Sequence, residues 1–479
     1  MSLTHKAVHA FKWSFLAEIF SRGIGPLVFL ILARILLPSD FGVVASATVI
    51  ISFSQVLADA GLAKALIQRQ DKIREAANVV FWINLFLGMI LGILLQVGAP
   101  FIAAFFNDPR IVNVVRVLAI QVLLAEFSSV HLAIMRREFR FKELFWVRLL
   151  TATVPALASI PLALNGLGYW ALVSGTIVGQ IAQSVVLWLR SQFRPFFKIN
   201  SSIALELVIF GKWALLSAVL GWLYLWLDAI IVGHYLGSHD MGLYRTGNTF
   251  VTMVFGVVFS PLLPVLYSFF SRKQHDLFQL RETFMSVVRS IVLISLPLGI
   301  WIFVFRDSLG AVLFGQKWEG VGMVIGFMGL THGFAWIVGA NGEIYRALGK
   351  PQVETLAMVG SLAVYVVGYL FSIRYGLDWF LVARCSLVLV GVFSQVLICW
   401  YFLKIRPVLW INSLIRPLII SFSVAFLINY LNLNKVHDVK MFIMSFTFSF
   451  LFLLIFIFIF EKEFILKTLS SLNFREKIN

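Results

Sequence analysis

Apolar stretches of spanning length recur along nearly the whole chain, and they limit its fold more than any other feature. A helix that crosses a bilayer needs about 20 mainly apolar residues. Fourteen segments meet that requirement: 13–36, 42–66, 78–102, 111–134, 144–164, 168–190, 208–236, 241–270, 283–305, 320–347, 353–373, 378–403, 411–431 and 440–460. The chain has 479 residues, 60% of them hydrophobic and 13% charged. Soluble domains average roughly 45–50% and about 25%. No polar stretch is long enough to form a soluble domain. The fold class is therefore all-α integral membrane. Proline and glycine inside the segments, as at Gly25-Pro26, Pro155, Pro261 with Pro264, and Pro297, are expected breaks, tolerated where neighbouring helices shelter the freed backbone groups.

The net charge of +16 does not indicate a nucleic-acid partner, because the positive residues occupy short connections on alternate sides. The N-terminus, the even-numbered connections and the tail carry 24 of the 39 Lys and Arg; the odd-numbered connections carry 6. That asymmetry predicts cytoplasmic termini and an even number of spans. The first apolar segment has no small-residue cleavage site after it and reads as a retained span. Cys385 and Cys399 share one segment, about 21 Å apart on a helix, too far for a disulfide; they are expected to be packing residues.

The chain also repeats itself. Residues 12–42 match 212–242 without a gap at Lys12, Trp13, Leu16, Leu27, Ile31, Leu36, Asp40 and Gly42. A repeat this long is a repeated bundle. It aligns span 1 with span 7, so each half holds six helices. Both halves enter from the same side, which makes them parallel repeats about an axis along the membrane normal. The expected organisation is a bundle over 1–200 (spans 1–6), a bundle over 201–404 (spans 7–12), and spans 13 and 14 with the tail over 405–479. Asp40 and Asp240 are expected to cap the helix that follows each outer turn.

Within this frame, "ARILLPSDFGVVASATVIISFSQVLADAGLAKALIQRQ" (33–70), "MRREFRFKELFWVRLL" (135–150), "GKWALLSAVLGWLYLWLDAIIVGHYLG" (211–237), "LFGQKWEGV" (313–321) and "YRALGKPQVE" (345–354) resemble the Wzx-type polysaccharide-unit flippases, in particular the colanic-acid and teichuronic-acid exporters. That group is similar to the multidrug MATE exporters and the lipid II flippases. The resemblance covers about residues 5–430 and implies a MATE-like fold of 14 helices. It also implies a function: moving an oligosaccharide repeat unit on undecaprenyl pyrophosphate from the inner to the outer leaflet of the bacterial cytoplasmic membrane. Two rocking bundles would open a central cleft alternately to each side. The polymerase and chain-length regulator of the same pathway are the candidate protein partners, and neither enzymatic activity nor a cofactor is implied.

Such cargo needs a wet cationic path, since burying an unpaired charge is very unfavourable. Intramembrane charges are therefore the candidate site. Glu18 and Arg22 lie four residues apart on span 1, Asp59 and Lys64 on span 2, Arg116 and Glu126 on span 4, Asp228 on span 7, Arg245 on span 8 and Arg289 on span 9. Arg22 and Arg245, one from each half, are the expected contacts for pyrophosphate or acidic sugar, with Glu18 and Asp228 balancing or releasing them. Their repeat positions hold different residues, Trp222 for Arg22, Ala45 for Arg245 and Val28 for Asp228, as a path for asymmetric cargo requires. Glu18 as a closed pair with Arg22, and Arg245 snorkelling to the outer surface, are the structural alternatives. Glu343 and Arg346 read as a local pair. Trp13, Trp213, Trp222, Tyr224 and Trp226 offer stacking faces for sugars, although membrane interfaces attract such residues anyway.

The chain has no phosphate-loop or metal-ligand spacing, and His131 and His332 read as satisfied bundle histidines. A potential of about 100 mV gives a net charge near −2 roughly 4–5 kcal/mol for outward movement. Asp59 or Glu18 would hold a coupling cation if one is used. The rival reading is a MATE-like cation-coupled multidrug exporter, which calls for excess carboxylate in the passage.

Overall fold

The computed structural model describes residues 23–197, 200–434 and 438–473, and every regular element among them is helical. The helices are α1 (Gly23–Ile35), α2 (Pro38–Asp59), α3 (Leu62–Gln68), α4 (Ile73–Phe105), α5 (Ile111–Arg137), α6 (Phe141–Leu164), α7 (Tyr169–Arg190), α8 (Ser201–Phe259), α9 (Leu262–Arg272), α10 (Leu277–Val304), α11 (Arg306–Leu309), α12 (Val321–Ala335), α13 (Asn341–Ala347), α14 (Pro351–Ser372), α15 (Leu377–Leu403), α16 (Pro407–Tyr430) and α17 (Val439–Asn473). Among the described residues, eleven helical stretches are long and apolar enough to cross a membrane, and Gly23–Ile35 and Lys440–Phe456 are shorter apolar helices. The chain is a multi-pass membrane protein.

Several expected boundaries move, each for a local reason. The span drawn over 42–66 ends at Asp59, where Ala60 and Gly61 adopt φ 45° and 72°. A Cβ on Gly61 would sit 2.5 Å from the Ala214 Cβ, so the break lies where α8 passes close by. The span drawn over 241–270 divides at Ser260-Pro261 into α8 and α9. Pro155 and Pro297, by contrast, lie inside continuous helices. The span drawn over 440–460 continues as α17 past a non-helical residue, Glu461. Pro26 lies inside α1, and any bend ahead of Gly23 falls outside the described residues.

The turn between the first two helices of the first repeat is built as its sequence suggests, with one change. Asp40 caps from the first turn inside α2: its carboxylate accepts the Leu37 N–H at 3.0 Å. It also accepts the Tyr169 N–H at 3.1 Å, which ties the start of α7 to the start of α2. The matching break in the second repeat is Gly237 (φ 80°), inside α8. The apolar stretch Ala214–Phe259 has 46 residues. It would measure about 69 Å if straight, over twice the ~30 Å hydrocarbon core, so α8 is two crossings joined at that glycine.

The two repeat turns meet each other. A Cβ on Gly42 would overlap the Ser238 carbonyl oxygen and lie 3.0 Å from the Gly242 nitrogen; a Cβ on Gly242 would overlap the Pro38 carbonyl oxygen and lie 3.1 Å from the Gly42 nitrogen. Residue 42 touches 238 while 242 touches 38. Such reciprocity is the signature of a local two-fold axis.

By contact the chain divides into two compact units, Met1–Thr246 and Gly247–Asn479. In the first, α4 packs on α5, α6 on α7, and α2 and α7 on α5. Its largest apolar cluster joins Val43, Ala47, Ile51, Ala99, Phe106, Val114, Leu118 and Val173. In the second, α10 packs on α12 and α16. A Cβ on Gly299 would lie 2.6 Å from the Gly329 oxygen and 3.0 Å from the Gly333 Cα; small residues let helices touch where burial from water supplies no driving force. Trp301 of α10 donates to Ser449 of α17 at 3.0 Å, and Arg289 pairs at 2.5 Å with the buried Glu461. The Phe-rich α17 is thereby held to α10 by an ion pair and an indole hydrogen bond as well as by its rings.

A polar cluster fastens the turn between α4 and α5 to the second repeat turn. Asp108 accepts the Ser238 hydroxyl at 2.6 Å and the Arg110 guanidinium at 2.7 Å, and Asn107 donates to the His234 carbonyl at 3.1 Å. Burial acts to raise the Asp108 carboxyl, but the hydrogen bonds from Arg110 and Ser238 outweigh it and hold the group below its ordinary value. Its contribution to stability is therefore complete above about pH 4 and is lost as pH falls through the lowered folded-state value. Asp108→Asn should reduce stability by about 1–2 kcal/mol at neutral pH, since Arg110 is partly exposed. It should also flatten the fall in unfolding midpoint between pH 5 and 3. Thermal unfolding of the two proteins in detergent measures both, and parallel pH curves would refute this assignment.

Candidate functional site

The expected site residues fall into two groups. Glu18 and Arg22 lie outside the described residues, as does Trp13, and the Trp213 and Lys64 side chains are likewise not described. Arg245, Asp228 and Asp59 are described, all within the first compact unit.

Arg245 and Asp228 stand on facing limbs of α8. The turn at Gly237 folds the limbs back on each other, so that residues 16 apart in sequence touch: the Tyr244 hydroxyl donates to the Asp228 carboxylate at 2.6 Å. The Ala229 N–H donates to the same side chain at 2.7 Å. Asp228 is 3% exposed, a depth at which a carboxylate must be well supplied with donors. One residue past Tyr244, the Arg245 guanidinium carbon lies 3.9 Å from the centre of the Trp226 ring. The structure thus brings the two expected residues together through Tyr244 and Trp226 and joins them by no ion pair. Arg245 lies eight residues, about 12 Å of helix, from Gly237, and its guanidinium rests on an indole face.

This arrangement suits anion recognition. An aromatic face attracts a guanidinium electrostatically but accepts none of its N–H groups in a conventional hydrogen bond. The forked donors that match a phosphate or carboxylate remain for another acceptor. Among the described residues no carboxylate pairs with Arg245. Trp226 is committed to this cation, and Trp222 donates to the Ser52 hydroxyl at 2.9 Å and packs on Phe53 at 4.6 Å. Two of the rings expected to stack on sugar thus hold the protein together, whereas Tyr224 is 46% exposed.

Asp59 closes α2, and its charge reaches Glu126 of α5. Glu126 is 3% exposed, and one of its oxygens has no hydrogen-bond partner among the described residues. It occupies the gap left by Gly88, whose Cβ would lie 3.2 Å from the Glu126 Cγ. Asn84, one turn away on α4, is fully buried, and its oxygen also lacks a partner among the described residues.

The expectation for His131 fails. It is fully buried, but neither ring nitrogen has a hydrogen-bond partner among the described residues. It sits among Trp188 at 4.5 Å, Phe193 at 5.6 Å and Phe81 at 6.3 Å, as an aromatic packing residue. His332 does find partners, Asn248 and Thr252, each at 3.4 Å. Glu343 and Arg346 pair at 3.1 Å, and Arg346 also grips Glu354 through two hydrogen bonds of 2.9 Å. Both cysteines are free, but Cys399 does more than pack: it meets the Tyr345 hydroxyl at 3.2 Å and the Asn341 amide at 3.3 Å. Sequence reasoning missed Tyr244 as the donor to Asp228 and Glu461 as the partner of Arg289. Tyr244 could have been found from its place beside Arg245; Glu461 follows a long apolar run and gave no signal of its burial.

Comparison with known proteins bears on this arrangement. Residues 31–322 match the family described as "Polysaccharide biosynthesis protein". The succinoglycan biosynthesis transport protein ExoT of Rhizobium meliloti (strain 1021) is 27% identical over 67% of this chain and 65% of its own length. The teichuronic acid biosynthesis protein TuaB of Bacillus subtilis (strain 168) is 22% identical over 80% of each. The lipopolysaccharide biosynthesis protein WzxC of Escherichia coli (strain K12) is 24% identical over 67% of this chain and 66% of its own. The chain thus spans just under two thirds of ExoT and WzxC. Among solved structures, the lipid II flippase MurJ in an inward closed conformation superposes with a TM-score of 0.72 at 14% identity, covering 95% of this chain and all of that one. An inward-facing MATE family multidrug resistance transporter reaches 0.54 at 16% identity, covering 80% and 93%. These two likenesses establish the fold. The family follows from the sequence match, which takes in more than half of the chain: it belongs to the polysaccharide biosynthesis protein family.

Proposed function

We propose that this protein is a flippase. It carries an oligosaccharide repeat unit linked to undecaprenyl pyrophosphate from the inner to the outer leaflet of the bacterial cytoplasmic membrane, by alternating access and without enzymatic chemistry, for assembly of capsule, exopolysaccharide or O-antigen. The observation that carries the reading is Arg245: a guanidinium at membrane depth, seated on Trp226, in a chain of the polysaccharide biosynthesis family. Arg22 is its proposed counterpart from the first repeat, with Glu18 and Asp228 as the balancing carboxylates. Asp59, whose charge acts on Glu126, or Glu18 is the proposed seat of a coupling cation.

The proposed architecture has fourteen crossings: two parallel six-helix bundles, 1–200 and 201–404, with two further helices over 405–479 and both termini cytoplasmic. Dividing α8 at Gly237 and adding the two shorter apolar helices to the eleven long stretches supports that number. The reciprocal Gly42 and Gly242 contact supports a two-fold relation between the repeats. In this orientation that contact and the Asp108 cluster lie at the outer end of α2 and must part before cargo leaves outward.

The rival, a MATE-like drug exporter, takes cationic cargo. An arginine with no carboxylate partner among the described residues argues against it, and the MATE likeness establishes fold alone. Deleting the gene should leave lipid-linked repeat units on the inner leaflet and remove the polymer from the cell surface. Unchanged surface polymer, or drug sensitivity as the sole defect, would overturn the proposal.

A further inference from the structure

A second polar site lies in the first compact unit, between α4 and α5 and away from Arg245. Its centre is Glu126, 3% exposed, and beside it stands the fully buried Asn84. Burying a polar group is unfavourable unless a hydrogen bond compensates. Yet one atom of each side chain has no partner among the described residues: Oε2 of Glu126 and Oδ1 of Asn84. Both atoms are acceptors. An ionised carboxylate has no donor to give, so in that form neither orphan can satisfy the other.

The neighbouring donors are engaged elsewhere. The Asn84 amide donates to the Ser129 hydroxyl at 3.3 Å, and that hydroxyl donates to the main-chain carbonyl of Glu126 at 3.1 Å. Both side chains also act on the carboxylate, but they leave Oε2 unmet. Among the described residues the charge that acts on Glu126 is that of Asp59 on α2, a second carboxylate. Of the other helices packed on α5, α3 and α7 bring the buried Leu66 and Ser184. From α6 comes Arg148, whose charge acts on Arg136, ten residues and about 15 Å along α5 from Glu126. Packing is tight on the α4 side, where a Cβ on Gly88 would lie 3.2 Å from the Glu126 Cγ. A metal ion with several ligands needs space; a proton needs almost none.

We propose that Glu126 is a proton-binding site, and that in this packing of α4 on α5 its carboxyl group carries the proton on Oε2. The proton turns an orphan acceptor into a donor, for which Asn84 offers a carbonyl. Loss of the proton leaves a buried charge with too few donors, so ionisation is linked to the parting of α5 from α4 and the entry of water. In one respect this rests on the flippase reading: it makes the coupling cation a proton, taken up at Glu126 and passed toward Asp59 at the cytoplasmic end of α2 in each export cycle.

Infrared spectra of the full chain in liposomes at neutral pH test the site without transport. A carbonyl band of a protonated carboxylic acid should be present, persist in Asp59→Asn and vanish in Glu126→Gln. Glu126→Gln keeps the shape and supplies a permanent donor, so its unfolding midpoint should not fall. It cannot release a proton, so surface polysaccharide should be lost at an unchanged protein level. No band lost in Glu126→Gln would overturn the proposal. So would a variant that is much less stable or fails to fold, which would mean an ionised carboxylate held by the structure. A higher unfolding midpoint of the unaltered chain in sodium chloride than in potassium chloride, absent from Glu126→Gln, would overturn it in favour of a sodium site. Normal surface polysaccharide in Glu126→Gln would overturn the coupling. Unchanged surface polymer after gene deletion, with the band assigned as expected, would instead overturn the flippase reading and leave the proton site in place.

Discussion

Gly242→Ala should leave little folded protein, and Gly42→Ala should do the same. The atoms that a new methyl group meets in each case are backbone carbonyl oxygens, of Pro38 and Ser238 respectively. No rotamer change relieves a clash with a main-chain atom. Relief requires α2 and the second limb of α8 to move apart, which also strains the Asp40 and Asp108 hydrogen bonds on either side. Overpacking a core usually costs about 1–3 kcal/mol; these sites should exceed that range because the neighbours cannot yield. Gly98 of α4 is the control: a Cβ there meets nothing within 4 Å, so Gly98→Ala should gain up to about 1 kcal/mol from helix propensity. The reciprocity adds a sharper expectation. Once the backbones have separated for one methyl group they admit the other, so the double variant should be little worse than either single one, a strong departure from additivity. Unfolding midpoints in detergent read all four proteins. Single variants as stable as Gly98→Ala would mean that the two turns do not meet as described.

Arg245→Ala should abolish surface polysaccharide at an unchanged protein level. Removing one partner of a buried charged contact costs about 2–5 kcal/mol, which is roughly thirtyfold to several-thousandfold in affinity for an anionic cargo. Two further variants separate charge from geometry. Arg245→Lys keeps the charge but loses the planar fork and the flat stacking on Trp226, so it should retain a minor fraction of export. Trp226→Ala keeps the guanidinium but removes its seat, worth about 0.5–2 kcal/mol, and should fall between alanine and the unaltered chain. The folding control is the unfolding midpoint, which Arg245→Ala should change little, because among the described residues the guanidinium pairs with no carboxylate. Full export by Arg245→Ala, with normal protein level, would remove Arg245 from the site.

Much of this was legible in the residues. Hydropathy alone fixes an all-helical membrane chain, because a bilayer admits a spanning segment only when its own backbone bonds are closed. The Asp-x-Gly repeat, found by an offset of 200, marks two turns that touch: Gly42 and Gly242 are glycine because each backbone passes against the other. The Glu343 and Arg346 pair was readable because three residues along a helix bring two side chains together.

What the sequence could not give is any pairing between distant segments. That Trp226 seats Arg245 depends on a fold-back at Gly237 which hydropathy marks only as a gap between spans. That Glu461 neutralises Arg289 across 172 positions, and that Glu126 lies against Gly88, depends on which helix faces lie against each other. Periodicity states that a face is apolar; it does not state its neighbour. The sequence by itself determined the class of fold, the repeat and the kinds of charge placed in the membrane. Only the tertiary structure decided which charges meet a partner and which a ring, because burial and electrostatics act through space and not along the chain.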